Sequence, residues 1–237
     1  MFRSIAICTG AALALILTVA LDCPTSAAPL KGKVKKGVYH APAGNFSLLI
    51  PKDLPGWAGS VRVHTSEGYA PDATMGVVSF ADDFGKVFGI AYLRAHENSL
   101  PHLADTTKTY ALLEEWIRQF AMPNFFLMVH PGSLLLRVER TRFAGAPAAL
   151  GLVNVPQGST MSVVSAGQTR MLDSRRGLLV FVREGYVYML YNETLAKGEA
   201  LTDSTAALEL DLDARVRAKL QPFYETIKFG VGSPPGK

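Results

Sequence analysis

The sequence predicts an α+β fold: a central antiparallel sheet built from hairpins, flanked by helices. Three observations carry that expectation. Residues 176–192, Arg-Gly-Leu-Leu-Val-Phe-Val-Arg-Glu-Gly-Tyr-Val-Tyr-Met-Leu-Tyr-Asn, read as two strands folded back around Glu184-Gly185. Leu178, Val180 and Val182 alternate with Leu179 and Phe181, and Tyr186, Tyr188 and Leu190 alternate with Val187, Met189 and Tyr191. Both faces of the pair are therefore apolar, which places it centrally in a sheet covered on both sides. Two segments with helical spacing of apolar residues, beginning at Asp105 and Asp213, supply the covers.

Composition suits one globular domain with a sizeable core: 237 residues, 49% hydrophobic and 19% charged. The formal charge of +4 sits in Lys31, Lys33, Lys35 and Lys36, because from Gly37 onward 19 basic residues meet 19 acidic ones. A neutral folded part, with no aromatic RNA-binding motif and no Cys/His finger spacing, argues against a nucleic-acid partner.

Met1 to Ala28 has the layout of a secretory signal peptide: Arg3, an apolar run from Ile5 to Leu21, and a small-residue exit at Ser26-Ala27-Ala28 that places cleavage after Ala28. The rival reading is an uncleaved anchor, since the run is near the lower limit for spanning and basic residues follow it. Asp22 before Cys23 speaks against lipoprotein processing. Cys8 and Cys23 both lie in this segment, so the processed chain has no thiol for catalysis, disulfides or metal ligation. The expectation is a periplasmic or extracellular protein whose only membrane contact is through this first segment.

Pro29 to Lys36 reads as a flexible lysine-rich linker, with at most weak attraction to anionic headgroups, about 1 kcal/mol per basic residue. A single domain then runs from Gly37 to Gly230, with Val231 to Lys237 as a tail. Within it, a turn at Ala43 to Asn45 precedes a strand from Phe46 to Ile50 stopped by Pro51, and Val61 to Thr65 is an edge strand. Gly76 to Ala81 and Lys86 to Arg94 form a hairpin around Asp82-Asp83-Phe84-Gly85. That turn resembles a kinase signature in isolation, but no glycine-rich loop, strand lysine or His-Arg-Asp accompanies it.

Asp105 caps a helix to Phe120 in which Tyr110, Leu113, Trp116, Ile117 and Phe120 share a side and Glu114 and Arg118 form an i,i+4 pair; Met122-Pro123 ends it. Phe125 to Val129 reads as an apolar strand. Leu134 to Phe143 and Ala148 to Val155 form a third hairpin. Arg140 and Arg142 share one side of its outgoing strand, with Arg137 and Glu139 on the other. The first pair is a candidate partner-binding face, against the plainer reading of a solvated side with a salt bridge.

Gln157 to Ser174 reads as a polar loop, and Glu193 to Asp213 as an acidic one with six carboxylates against Lys197. The last helix starts at Asp213 with Val216, Leu220, Phe223 and Ile227 in one stripe, and Pro222 is expected to kink or split it. No Gly-x-Ser-x-Gly, His-Glu-x-x-His or Gly-x-Gly-x-x-Gly occurs. The one local cluster with ligand chemistry is His96, Glu97 and His102 near Asp105. Imidazole and carboxylate there suit zinc, although the spacing matches no helical or finger arrangement; loop residues with Asp105 as a cap are the plainer reading.

The order of these elements resembles the PsbP/DcrB-like superfamily. The likeness rests on Gly-x-Tyr-x-x-Pro-x-Gly-x-Phe-Ser-Leu-x-x-Pro from Gly37 to Pro51, the strands around Asp82-Asp83-Phe84-Gly85, the Gly-x-Pro-Ala turn at Gly145 to Ala148, the hairpin of residues 176–192, and a closing helix ending Ile227-Lys228-Phe229. It implies an α/β/α sandwich and a small exported accessory protein that binds a protein or an envelope component. It implies no catalytic set and no cofactor.

Overall fold

A computed structural model of the chain describes residues 32–51, 60–66, 74–83, 87–95, 105–158, 162–165, 167–195 and 205–230. The signal-like segment and the tail lie outside them. The hairpin that dominates the sequence is the spine of the molecule. Its strands, β11 (Ser174–Arg183) and β12 (Tyr186–Leu195), pair from Ser174↔Leu195 to Arg183↔Tyr186. They turn at Glu184 and Gly185, whose φ values of 51 and 77 fit the backbone twist of a two-residue hairpin.

Around that spine runs a seven-stranded antiparallel sheet. β12 joins β6 (Val87–Arg94), which joins β5 (Met75–Ala81) and then the edge strand β4 (Arg62–Ser66). On the other flank β11 joins β8 (Ala146–Val155), and β7 (Leu134–Phe143) closes the sheet as its second edge. Alternate residues feed two separate cores. Tyr188, Leu190, Leu179, Phe181 and Leu150 pack to one side, and Met189, Leu178, Val180, Ala149 and Val153 to the other. At about 25 cal/mol for each Å² removed from water, two filled faces give this pair of strands a large share of the burial energy.

The second core is covered by α1 (Thr106–Glu115), which Asp105 caps by accepting at Oδ1 from Thr107 N at 2.9 Å and Lys108 N at 3.2 Å. The helix does not end at Pro123. It widens into a π-helix, Trp116–Leu127, and Met128 N donates to Pro123 O five residues back at 3.2 Å. A proline collides with the carbonyl four residues back in an α-helix; the wider turn moves that carbonyl aside. Phe125 to Val129 is therefore helix and turn rather than a strand, with Phe126 buried beside Ile117 and Met122. A short apolar run is compatible with either element.

The first core is covered by two things at once. α2 (Thr205–Glu225) contributes Val216, Leu220 and Phe223, all at most 1% exposed. Beside it lies a four-stranded sheet, β1 (Lys33–Lys35), β2 (Val38–His40), β3 (Phe46–Leu49) and β13 (Ile227–Phe229), which buries Tyr39, Phe46, Leu48 and Ile227. The α+β class and the antiparallel sheet hold, but a helix-only second layer does not. α2 starts before Asp213 and runs through Pro222 unbroken, and residues 227–229 leave it as a strand. Part of the supposed lysine linker is β1, turned onto β2 through Lys36 and Gly37 with φ of 50 and 76. The polar stretch after Gln157 contains a hairpin, β9 (Ser162–Ser165) with β10 (Gln168–Met171).

Candidate functional site

The edge strand β7 carries the residues singled out by the sequence. Alternation along it is interrupted by a bulge between Leu135 and Arg137. Past the bulge, Arg137 and Glu139 face α2: Arg137 Nε lies 2.9 Å from Glu139 Oε1, and Arg217 reaches Glu139 Oε2 at 2.8 Å and Thr141 Oγ1 at 3.0 Å. Arg140 faces α1, where Nε meets Glu114 Oε1 at 2.6 Å and the guanidinium stands over the Tyr110 ring. Glu114 thus spans to the sheet instead of serving only its own helix. Its carboxylate raises the Arg140 pKa. Arg142 donates to Gly145 O at 3.0 Å, inside its own turn. The two arginines share a side, as the alternation requires.

Next to this charged stretch the structure exposes an apolar group that the sequence reading did not identify. Leu127 is 39% exposed, Met128 66%, Val129 62%, Leu134 61% and Leu136 42%. The five lie within ten residues, between the end of the π-helix and the bulge of β7, on a chain folded tightly by Ser133 N donating to His130 O at 2.9 Å. Reading residues 125–129 as a strand concealed the group, because a strand in the sheet would have buried them. The available signal was the unbroken run Phe125 to Val129 followed by Leu134 to Leu136.

Behind the patch sits a buried polar pair. Arg176 and Glu193 are cross-strand partners, with Nη2 3.8 Å from Oε2. Arg176 also donates to Gly158 O at 3.0 Å and stacks over Phe126. His130 lies close enough to feel both charges: burial and Arg176 lower its pKa, and Glu193 partly opposes them. On the opposite core, Tyr188 Oη donates to Asn45 O and accepts from Asn45 Nδ2, both at 3.2 Å. Burial pushes Tyr39 up to about 12 and raises Tyr92, Tyr188 and Tyr191 as well.

His96, Glu97 and His102 lie outside the described residues. Asp105, beside them in sequence, is committed to the cap of α1. Among the described residues no three His, Cys, Asp or Glu side chains gather as a metal site, and no helix is long and apolar enough to cross a membrane. A shallow groove of about 180 Å³ opens on the small sheet, lined by residues that include His40, Gly44, Ser47, Lys228 and Gly230.

No family model matches the chain, and no curated protein does. Among solved structures the chain is similar to a cyanobacterial PsbP from Synechocystis, at 11% identity and a TM-score of 0.40, covering 88% of this chain and 97% of that one. It is also similar to a Pseudomonas aeruginosa protein of unknown function described as a putative regulator, at 16% identity and a TM-score of 0.27, covering 74% of this chain and 86% of that one. At these identities and TM-scores the likenesses assign neither family nor activity.

Proposed function

We propose that the protein is an exported, non-enzymatic accessory module that binds another envelope protein at the apolar end of its β7 edge. The carrying observation is the group Leu127, Met128, Val129, Leu134 and Leu136, whose exposures run from 39% to 66% on a domain whose two cores are otherwise well filled. Five large apolar side chains exposed within ten positions exceed the scattered exposure of an ordinary surface, and such a group is the mark of a protein contact. Arg140 and Arg142, further along β7, are the candidate charged contacts for carboxylates on the partner. The signal-like layout of Met1 to Ala28 supports export.

The test is site-specific photo-crosslinking in cells, with the probe at Met128 or Leu134 and, as control, at Glu115 on the solvent side of α1. The expected result is one discrete adduct from the first two positions, weakened by Arg140→Glu with Arg142→Glu. Equal labelling from the control, or adducts only between copies of this chain, would overturn the reading.

A further inference from the structure

The small sheet has an outer face, and its register places lysines at the two ends of one row across it. Lys33 pairs with His40, His40 with Ser47, and Ser47 with Lys228, so these four residues from four adjacent strands lie side by side. Their neighbours across the same strands point inward: Tyr39 is 3% exposed, Leu48 1% and Ile227 8%. Alternation therefore turns the line outward. The next row on the same face is Lys35, Val38 and Leu49, and Leu49 is 49% exposed. Lys36 stands at the turn between them. Neither residues 32–51 nor residues 226–230 contain a single Asp or Glu.

We infer that this outer face is a docking surface for an anionic lipid bilayer, a membrane contact separate from the first segment and from the β7 edge. Four lysines, with no Asp or Glu in the same two segments, make the face electropositive, while the other residues of 37–230 carry 17 basic against 19 acidic side chains. An exposed leucine in the next row adds an apolar contact at headgroup depth, which a site for a free anion does not need. Chain length agrees. The apolar run ends at Leu21 and β1 begins at Lys33. The residues between them reach at most about 40 Å at full extension. Where that run stays uncleaved in a bilayer, β1 lies no farther than about 40 Å from the lipid surface.

The test uses the purified full chain with its own N-terminus and vesicles of phosphatidylcholine alone or mixed with phosphatidylglycerol. The readout is the extra binding that phosphatidylglycerol confers, which removes any contribution of the apolar run common to both. That increment is expected, is expected to fade as salt shortens the Debye length, and should fall roughly tenfold or more in Lys33→Glu with Lys228→Glu. The milder Lys33→Gln with Lys228→Gln should lose less, and Lys108→Glu on α1 should lose nothing. An absent increment, or one equal in all variants, would overturn the inference. So would complete competition by inorganic phosphate at matched ionic strength, because that marks a free-anion site.

Discussion

Arg176 and Glu193 face each other across β11 and β12, with a carboxylate only 3% exposed and a guanidinium 19% exposed. The 3.8 Å separation is long for a hydrogen bond, and Arg176 takes part of its compensation from Gly158 O and the Phe126 ring. The two partners are therefore unequal. Removing the arginine takes the cross-strand cation from the more deeply buried charge, and such a loss costs about 3 kcal/mol or more. Arg176→Met should lower stability in urea unfolding by that order, and Glu193→Gln by clearly less. The double change should cost less than the sum of the two.

Tyr188 and Asn45 form the other buried polar link, 143 positions apart in sequence, with both residues 0% exposed. The phenol fills two roles toward one residue, so Tyr188→Phe removes the hydroxyl and leaves the Asn45 amide and carbonyl buried with one partner fewer. A loss of about 1–3 kcal/mol is expected. Asn45→Ala should cost a similar amount. A double-mutant cycle of chemical denaturation should show partial coupling, because Asn45→Ala removes only the Nδ2–Oη bond and keeps the backbone carbonyl to which Tyr188 Oη donates.

How far the sequence carries the fold follows from where burial is two-sided. The 176–192 hairpin was legible because apolar residues on both faces leave no other reading, and its central position follows from the same fact. The ends were not. Glu193 looked like the start of an acidic loop, yet the strand continues through it, because its charge is answered by Arg176 across the pair rather than by neighbours in sequence. The π-helix escaped for a related reason: proline reads as a stop only while the helix keeps its α pitch. The small sheet was half visible. β3 shows its alternation, whereas β1 is three residues with two lysines, defined by its pairing rather than its composition. The sharing of a side by Arg140 and Arg142 was fixed by alternation, while the identity of their neighbours required the fold. The apolar runs that supply the exposed group at residues 127–136 are visible in the chain, but their exposure depends on which element holds them.

Gly177 determines how closely α2 approaches the sheet. It pairs with Asn192 on one side and Leu152 on the other, and a methyl group built on it meets Val216, which is itself fully buried. No special backbone angle is involved; the constraint is space. Gly177→Ala should destabilise by about 1–3 kcal/mol through overpacking. Val216→Ala alone leaves a cavity and also destabilises. Combined, the two volume changes partly cancel, so the double variant should melt above the value expected from adding the two single effects.

The buried tyrosines set an alkaline limit on stability. Burial raises the pKa of Tyr39 to about 12 and shifts Tyr92, Tyr188 and Tyr191 in the same direction, away from the ordinary value of 10.0. In the unfolded chain these phenols release their protons near the ordinary value, so above it the unfolded state holds fewer protons than the folded one. The stabilisation is complete below that pH and is lost as pH rises beyond it. Spectrophotometric titration should show only the more exposed phenols ionising in the native protein. The remainder should appear together with unfolding, and Tyr92→Phe should move that transition to higher pH.

His130 sets the corresponding limit on the acid side. Burial and the Arg176 guanidinium lower its pKa below the usual 6.5, with Glu193 opposing weakly. Because the unfolded imidazole takes up its proton first as pH falls, the unfolded state holds more protons just below that value. The native state is therefore favoured above it and loses ground on acidification through it. Melting temperature should decline between about pH 7 and pH 5, and His130→Gln should flatten that part of the profile. Arg176→Met provides the discriminating control. With the neighbouring cation gone and Glu193 still present, the His130 pKa should rise, and nuclear magnetic resonance titration of the ring should show it. A His130 pKa unchanged in Arg176→Met would place the lowering in burial alone.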